Sequence, residues 1–271
     1  MFDKFRDECG VFGIYGHPEA SKLAYLGLYA LQHRGQESAG IASADGNRVR
    51  LVRQMGYVNE IFDEATLATL TGAIAIGHTR YSTAGESKLS NAQPILIDCV
   101  HGQVAICHNG NIVNANEVRD RLVRAGSIFQ TNSDTEVVLH LYARSQAGSV
   151  EDAIVESVTQ LTGAFSFALI TKDSMIAVRD PHGFRPLALG KLDQAWVVSS
   201  EDAGSPVSSR RARRSSGPLY RRSRAPSPHT EVRARRRRRQ SRRDRWPRDP
   251  SARAAGRRWR HRRQGGRTAS G

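Results

Sequence analysis

The sequence predicts a layered α+β domain followed by a tail of a different kind. Two observations carry this. Many apolar runs of strand length occur, and helical patterns are grouped between them rather than alternating with them, which argues against a succession of βαβ units. Apolar periodicity then stops at Ser199–Ser200, where the composition turns arginine-rich.

Each element has its own signal. Residues 10–15 read as a buried strand. Residues 20–31 place Leu23, Leu26, Leu28 and Leu31 at helical spacing and end before Gly35. Strand-like runs follow at 38–44 and 49–54. The runs 74–79 and 104–108 are expected to be strands that enter polar loops. Asn114-Ala-Asn-Glu117 has the form of a capping box and opens a helix through Leu122 toward Gly126; Ser133-Asp-Thr-Glu136 is a second, ahead of a helix to about Ser145. Residues 151–161 make a third helix. The runs 164–170, 175–178, 187–189 and 195–198 are strand-like and separated by turns.

The net charge of +15 averages two unlike segments. From Ala203 to Gly271 there are 24 Arg, no Lys and 3 acids, while Met1–Asp202 carries 17 basic and 23 acidic residues. The first segment is therefore a mildly acidic domain. The second also lacks Ile, Asn, Phe, Met and Cys, the bias expected of an out-of-frame translation of a G/C-rich gene. The other reading is an arginine-rich disordered tail that binds nucleic acid through phosphate charge. Neither predicts a packed core there. Cys9, Cys99 and Cys107 are the only cysteines, an odd number without zinc spacing, which fits a reducing cytoplasm better than a disulfide framework. No apolar run is long enough to span a membrane. The charged leader Met1–Glu8 has no apolar centre, so it reads as a propeptide rather than a signal peptide.

Chemistry-bearing residues cluster where strands run into loops. Cys9 opens the run Cys9-Gly-Val-Phe-Gly-Ile-Tyr-Gly16. Were it the first residue of a mature chain, it would combine a thiol of unperturbed pKa about 8.5 with an α-amine of about 7.7–8.0, a nucleophile and its base on one residue. Taken alone, it reads first as a buried strand cysteine. The other clusters are His33-Arg-Gly-Gln-Glu-Ser-Ala-Gly40, Gly77-His-Thr-Arg-Tyr-Ser-Thr-Ala-Gly85 with Asn91-Ala-Gln-Pro94, His108-Asn-Gly-Asn111 and Asn132-Ser-Asp-Thr-Glu136. Taken alone, Asn109-Gly110 is also a strong type I′ turn signal. Arg80 could be a surface ion pair, Asp134 a carboxylate favoured by a helix dipole, and Arg34 a structural salt bridge.

Together with Arg179-Asp-Pro-His-Gly-Phe-Arg-Pro186, these motifs resemble the N-terminal-nucleophile (class II) glutamine amidotransferases from residue 9 to about 201. The likeness is greatest to the branch that serves purine synthesis. Gln36-Glu37 and Tyr81 separate the chain from the glucosamine-6-phosphate synthase branch, which has Tyr-Asp and Trp there. The resemblance implies a four-layer αββα sandwich, here lacking its last strand or strands. It implies that Cys9, freed by removal of Met1–Glu8, attacks the side-chain amide of L-glutamine. Asn109 (side chain) and Gly110 (backbone N–H) would form the oxyanion hole. Arg80 would hold the substrate α-carboxylate and Asp134 its α-ammonium, with Thr83 and Tyr81 lining the pocket and Arg34 supporting the nucleophile. His78 and His108 are read as structural, since the family base is the Cys9 amine.

Family members carry a second domain that transfers the ammonia to phosphoribosyl pyrophosphate with Mg²⁺; some also hold a 4Fe–4S cluster, and full-length members form homo-oligomers. No motif for that domain occurs here, so no cofactor is expected in this chain. The domain expectation is a propeptide over 1–8, an amidotransferase domain over 9–202 and a low-complexity tail over 203–271. Two functions follow: a glutaminase half-enzyme that releases ammonia, or an inactive product whose basic tail binds nucleic acid nonspecifically.

Overall fold

The computed structural model describes residues 9–81 and 88–201, together with the backbone of 213–214 and 221–224. The expected propeptide and the rest of the arginine-rich tail lie outside the described residues.

Two antiparallel sheets face each other. The first combines β1 (Cys9–Tyr15), β2 (Ser38–Ala44), β3 (Val49–Met55), β4 (Ile74–Arg80), β9 (Ala188–Leu192), β10 (Ala195–Ser199) and the short β11 (Arg213–Arg214). Its order is β11-β9-β10-β1-β4-β2-β3. The second combines β5 (Ile95–Cys99), β6 (Gly102–Ile112), β7 (Gly163–Ile170), β8 (Ser174–Arg179) and the short β12 (Arg221–Arg224) in the order β12-β8-β7-β6-β5. Sequence alternation decides which faces meet. In β1, Val11 and Tyr15 point into the seam between the sheets, where Ala42, Ile76, Ala105, Cys107, Ala168 and Val198 join them. Phe12 and Ile14 point the other way, into a second core with α1 (Ala20–Ala30), α2 (Val58–Ile61) and Leu67 of α3 (Glu64–Thr69). The outer face of the second sheet packs Ile106, Phe165, Phe167 and Leu169 against α4 (Ala115–Arg124), α5 (Thr135–Arg144) and α6 (Val150–Val158). Three apolar cores between four layers give the expected αββα sandwich.

Most expected elements are present, and four details differ. Strand β6 does not end at His108 but runs through Asn109, Gly110 and Asn111 to Ile112, so the Asn-Gly pair lies inside a strand rather than in a hairpin turn. The two helices expected from capping boxes form, but neither box closes. Asn114 instead binds the segment after α6, donating to the Gln160 carbonyl (2.9 Å) and accepting from the Thr162 N–H (2.8 Å). Glu136 reaches back to the N–H groups of Gln130 and Thr131, both at 2.8 Å. Strand β5 and helices α2 and α3 carried too little periodicity to be expected. Finally, where the resemblance implied missing strands, the backbone of 213–214 pairs along β9 and that of 221–224 along β8. Among the described residues no helix is long and apolar enough to cross a membrane.

Leu28 is fully buried where α1 lies on the first sheet. Leu28→Ala is expected to cost about 2–5 kcal/mol, the usual range for a truncated core leucine. Urea unfolding read by circular dichroism checks this.

Candidate active site

The site forms at one end of the sandwich, where β1, β4 and β6 come together. Cys9 is the first residue of β1 and pairs in register with Arg80, the last residue of β4; Ser38, at the start of β2, is the other partner of Arg80. The second sheet is tied to this end by a buried hydrogen bond. His78, two residues before Arg80, donates from Nε2 to the His108 carbonyl at 2.9 Å, immediately before Asn109. The two halves of the expected constellation, Cys9 with Arg80 and Asn109 with Gly110, are thereby brought to the same end.

His78 is fully buried, and burial, only partly offset by its bond to His108, brings its pKa down to about 3. It is therefore a neutral donor near neutral pH, a strut rather than a base. His108 is also structural. Its backbone N–H donates to Gln93 Oε1 (2.7 Å), and its ring Nδ1 meets Thr135 Oγ1 (3.0 Å). The Thr135 hydroxyl also accepts from Gln93 Nε2 (3.2 Å).

The Asn109 side chain is buried, and its Nδ2 has no hydrogen-bond partner among the described residues. Leaving a buried amide donor unmade costs about 1–3 kcal/mol, so an orphan of this kind requires a reason. Gly110 follows with φ 145°, and a Cβ there would collide with the Ala164 carbonyl. Only glycine fits, and its backbone is displaced from ordinary strand geometry beside the orphan amide.

Asp134 precedes α5 and stands beside the same stretch of β6. Its Oδ2 accepts the Ile112 N–H at 2.9 Å, and its Oδ1 lies 3.4 Å from His108 Nδ1. Burial raises its pKa, but the charge and hydrogen bond of His108 and the N–H groups of Ile112 and Thr135 outweigh that and hold it below the usual value. The carboxylate is thus kept ionised, and its side chain is still 26 % exposed, leaving an accessible face for a cation.

Arg80 is buried and faces a carboxylate from its own chain, with Nη1 3.2 Å from Glu37 Oε1. The expected surface pair is therefore a largely buried one. Gly35 permits this approach, because a Cβ there would lie 2.7 Å from the backbone of Thr79 and Arg80. Arg34 is buried too. Its Nε donates to the Cys9 carbonyl (2.9 Å) and its Nη1 to Glu201 Oε1 (2.8 Å), so support of the nucleophile and a salt bridge coexist. Cys9 Sγ lies 3.9 Å from the carbonyl of Tyr81, whose ring is half exposed at the end of β4. Thr83 lies outside the described residues. Glu201, Glu37, Gln93 and Thr135 were not expected as site-building groups, because they act as partners to other side chains across the fold. A capping-box reading of Ser133–Glu136 passed directly over Thr135.

The four-layer αββα fold is that of solved N-terminal-nucleophile amidotransferases. Residues 78–204 match the family profile of a glutamine amidotransferase domain. Amidophosphoribosyltransferase 3, chloroplastic, of Arabidopsis thaliana is 48% identical over 200 residues, 74% of this chain and 38% of that protein. Amidophosphoribosyltransferase of Bacillus subtilis (strain 168) is 46% identical over 196 residues, 72% of this chain and 41% of that protein. Among solved structures, glutamine phosphoribosylpyrophosphate amidotransferase from B. subtilis, complexed with ADP and GMP, matches with TM-score 0.71 and 40% identity, covering 79% of this chain and 49% of that one. A structure of the allosteric regulatory enzyme of purine biosynthesis matches with TM-score 0.73 and 41% identity over the same shares. The chain is similar to amidophosphoribosyltransferases over about 200 residues and spans less than half the length of these relatives.

His78 gives a pH test. Its folded pKa is depressed, so its contribution to stability is complete above the unfolded value of 6.5 and is lost as pH falls toward about 3. Over that window it adds a slope of at most about 1.4 kcal/mol per pH unit. His78→Asn is expected to flatten the fall in stability between these limits, measured by urea unfolding at several pH values; an unchanged slope would contradict the neutral strut.

Proposed function

We propose that the chain carries the glutaminase half-reaction of an amidophosphoribosyltransferase. The carrying observation is the orphan Nδ2 of Asn109, a buried donor that the fold itself does not use, at the end of the sandwich where Cys9 begins its strand. A preorganised donor beside a thiol suits a negative oxygen that forms only during reaction.

In this reading the Cys9 α-amine takes the thiol proton and the sulfur attacks the side-chain amide carbon of glutamine. Asn109 Nδ2 and the Gly110 N–H receive the developing oxyanion. Collapse breaks the carbon–nitrogen bond, the amine returns its proton to the departing nitrogen, and ammonia leaves behind a γ-glutamyl thioester. Water, deprotonated by the same amine, attacks the thioester; glutamate departs and the thiol is restored. Arg80 pairs the substrate α-carboxylate through two parallel hydrogen bonds, a geometry that a lysine lacks, and Asp134 holds the α-ammonium. Tyr81 flanks the pocket.

The amine exists only once Met1–Glu8 are gone, since an amide nitrogen is not a base. The domain reading that follows is a propeptide over 1–8, a glutaminase over 9–202 and a low-complexity tail over 203–271. Transfer of the ammonia to phosphoribosyl pyrophosphate, giving 5-phosphoribosylamine and pyrophosphate, belongs in this reading to a second domain, with the Mg²⁺ and iron–sulfur cluster of full-length relatives. Among the described residues no group of three or more His, Cys, Asp or Glu is placed to hold a metal ion. A cytoplasmic enzyme acting in purine synthesis is the setting we assign.

Cys9→Ala is expected to abolish release of glutamate and ammonia from glutamine; retained activity would move the nucleophile elsewhere. Asn109→Ala should lower kcat about 10²–10³-fold, the usual loss on removing one oxyanion donor. The intact mass of active protein should lack Met1–Glu8, and full activity in an unprocessed chain would sink the α-amine mechanism.

A further inference from the structure

We propose that Glu201 is a positioning residue for the nucleophile, acting on Cys9 through Arg34. The proposal rests on the reading of Cys9 as the attacking thiol.

Glu201 follows β10, the strand paired with β1 on the side opposite β4. Three contacts make this chain segment a clamp on the start of β1. The Ser200 N–H donates to the Val11 carbonyl at 2.9 Å. Ser200 Oγ accepts the Val11 N–H at 2.7 Å. Glu201 then takes Arg34 Nη1 at 2.8 Å, while Nε of the same guanidinium donates to the Cys9 carbonyl at 2.9 Å. The Arg34 side chain is 1% exposed and so has little freedom to find another geometry. A single planar cation thus links a carboxylate at the end of β10 to the backbone of the residue that bears the thiol. Charge-assisted bonds of this kind are about twice as strong as neutral ones.

The pairing also sets the field at the thiol. Among the described residues, charged and titratable groups near the start of β1 include Arg34 and His33 from the turn after α1, Glu201 after β10, and Arg80 of β4 with its partner Glu37. Glu37 offsets Arg80, and Glu201 offsets Arg34. His33 Nε2 also lies 3.2 Å from Glu201 Oε1, so one carboxylate serves both groups of that turn. Removing the Glu201 charge while keeping its shape makes the surroundings of Cys9 more positive, which favours thiolate over thiol. The same change disfavours the protonated α-amine.

The test is the pH dependence of alkylation by iodoacetamide at Cys9, resolved by peptide mass, in the full chain and its variants. Glu201→Gln keeps an oxygen acceptor for Arg34 and removes the charge. Its Cys9 thiol should titrate lower by about half a pH unit, which is about threefold more thiolate near neutral pH. Glu201→Asp keeps the charge and should titrate like the unchanged chain. In active enzyme, the acid limb of the kcat/KM profile for glutamine should move to lower pH in Glu201→Gln and stay in place in Glu201→Asp. A purely structural role predicts equal behaviour of the two variants, so equal shifts, or no shift in Glu201→Gln, overturn the proposal. Alkylation reads the thiol even where glutamine is not hydrolysed, so a chain without glutaminase activity would count against the proposed function and leave this inference to be judged on the thiol alone.

Discussion

Everything at the site depends on the pairing of β1 on both of its edges. Cys9 begins a strand that is bonded to β4 along its whole length and to β10 over its second half. Its alternate side chains fill two different cores, the sheet–sheet seam and the layer beneath α1. A residue at the start of such a strand has its position fixed by two neighbours and two packed faces before any contact of its own is counted. The same pairing delivers Arg80 to its side.

Around that fixed point the chain places cations and then compensates them. Arg34 and Arg80 are both buried, and each has a carboxylate close by. Uncompensated, either would be costly to desolvate; paired, they are tolerated without adding much net stability. Their value lies in geometry. Planar guanidiniums held by carboxylates present their remaining donors in fixed directions, as Arg34 does to the Cys9 carbonyl.

The fold was largely legible in the sequence because its strands alternate and its larger helices carry apolar stripes. The two-sided character of β1, with Val11 and Phe12 facing different cores, was visible as a continuous apolar run, although a run alone does not say which faces meet. Strand β5 and the short helices escaped because too few residues repeat for a period to show. Cys9, Asn109 and Arg80 each had an ordinary reading of their own, and only their occurrence together in ordered motifs singled them out. The site was not legible where the role is that of a partner. Glu201 finds Arg34 only through the pairing of β10 with β1, a contact between residues 167 apart in sequence. His108-Asn-Gly-Asn111 looked like a loop because Asn-Gly favours turns locally, but pairing of this segment with β7 overrides that preference.

The seam between the sheets is lined in good part by small side chains, Ala42, Ala105, Cys107, Ala168 and Ala177 among them. The thiol of Cys9 stands on one sheet and the amide of Asn109 on the other, so the distance between them is set by how closely the sheets approach. Those alanines would therefore act as a gauge block for the proposed reaction. Adding bulk at any of them would widen the gap without touching a reacting group, and a misplacement of about 1 Å is enough to cost about a hundredfold in rate. Constraint on these interior positions is accordingly a matter of alignment as much as of folding.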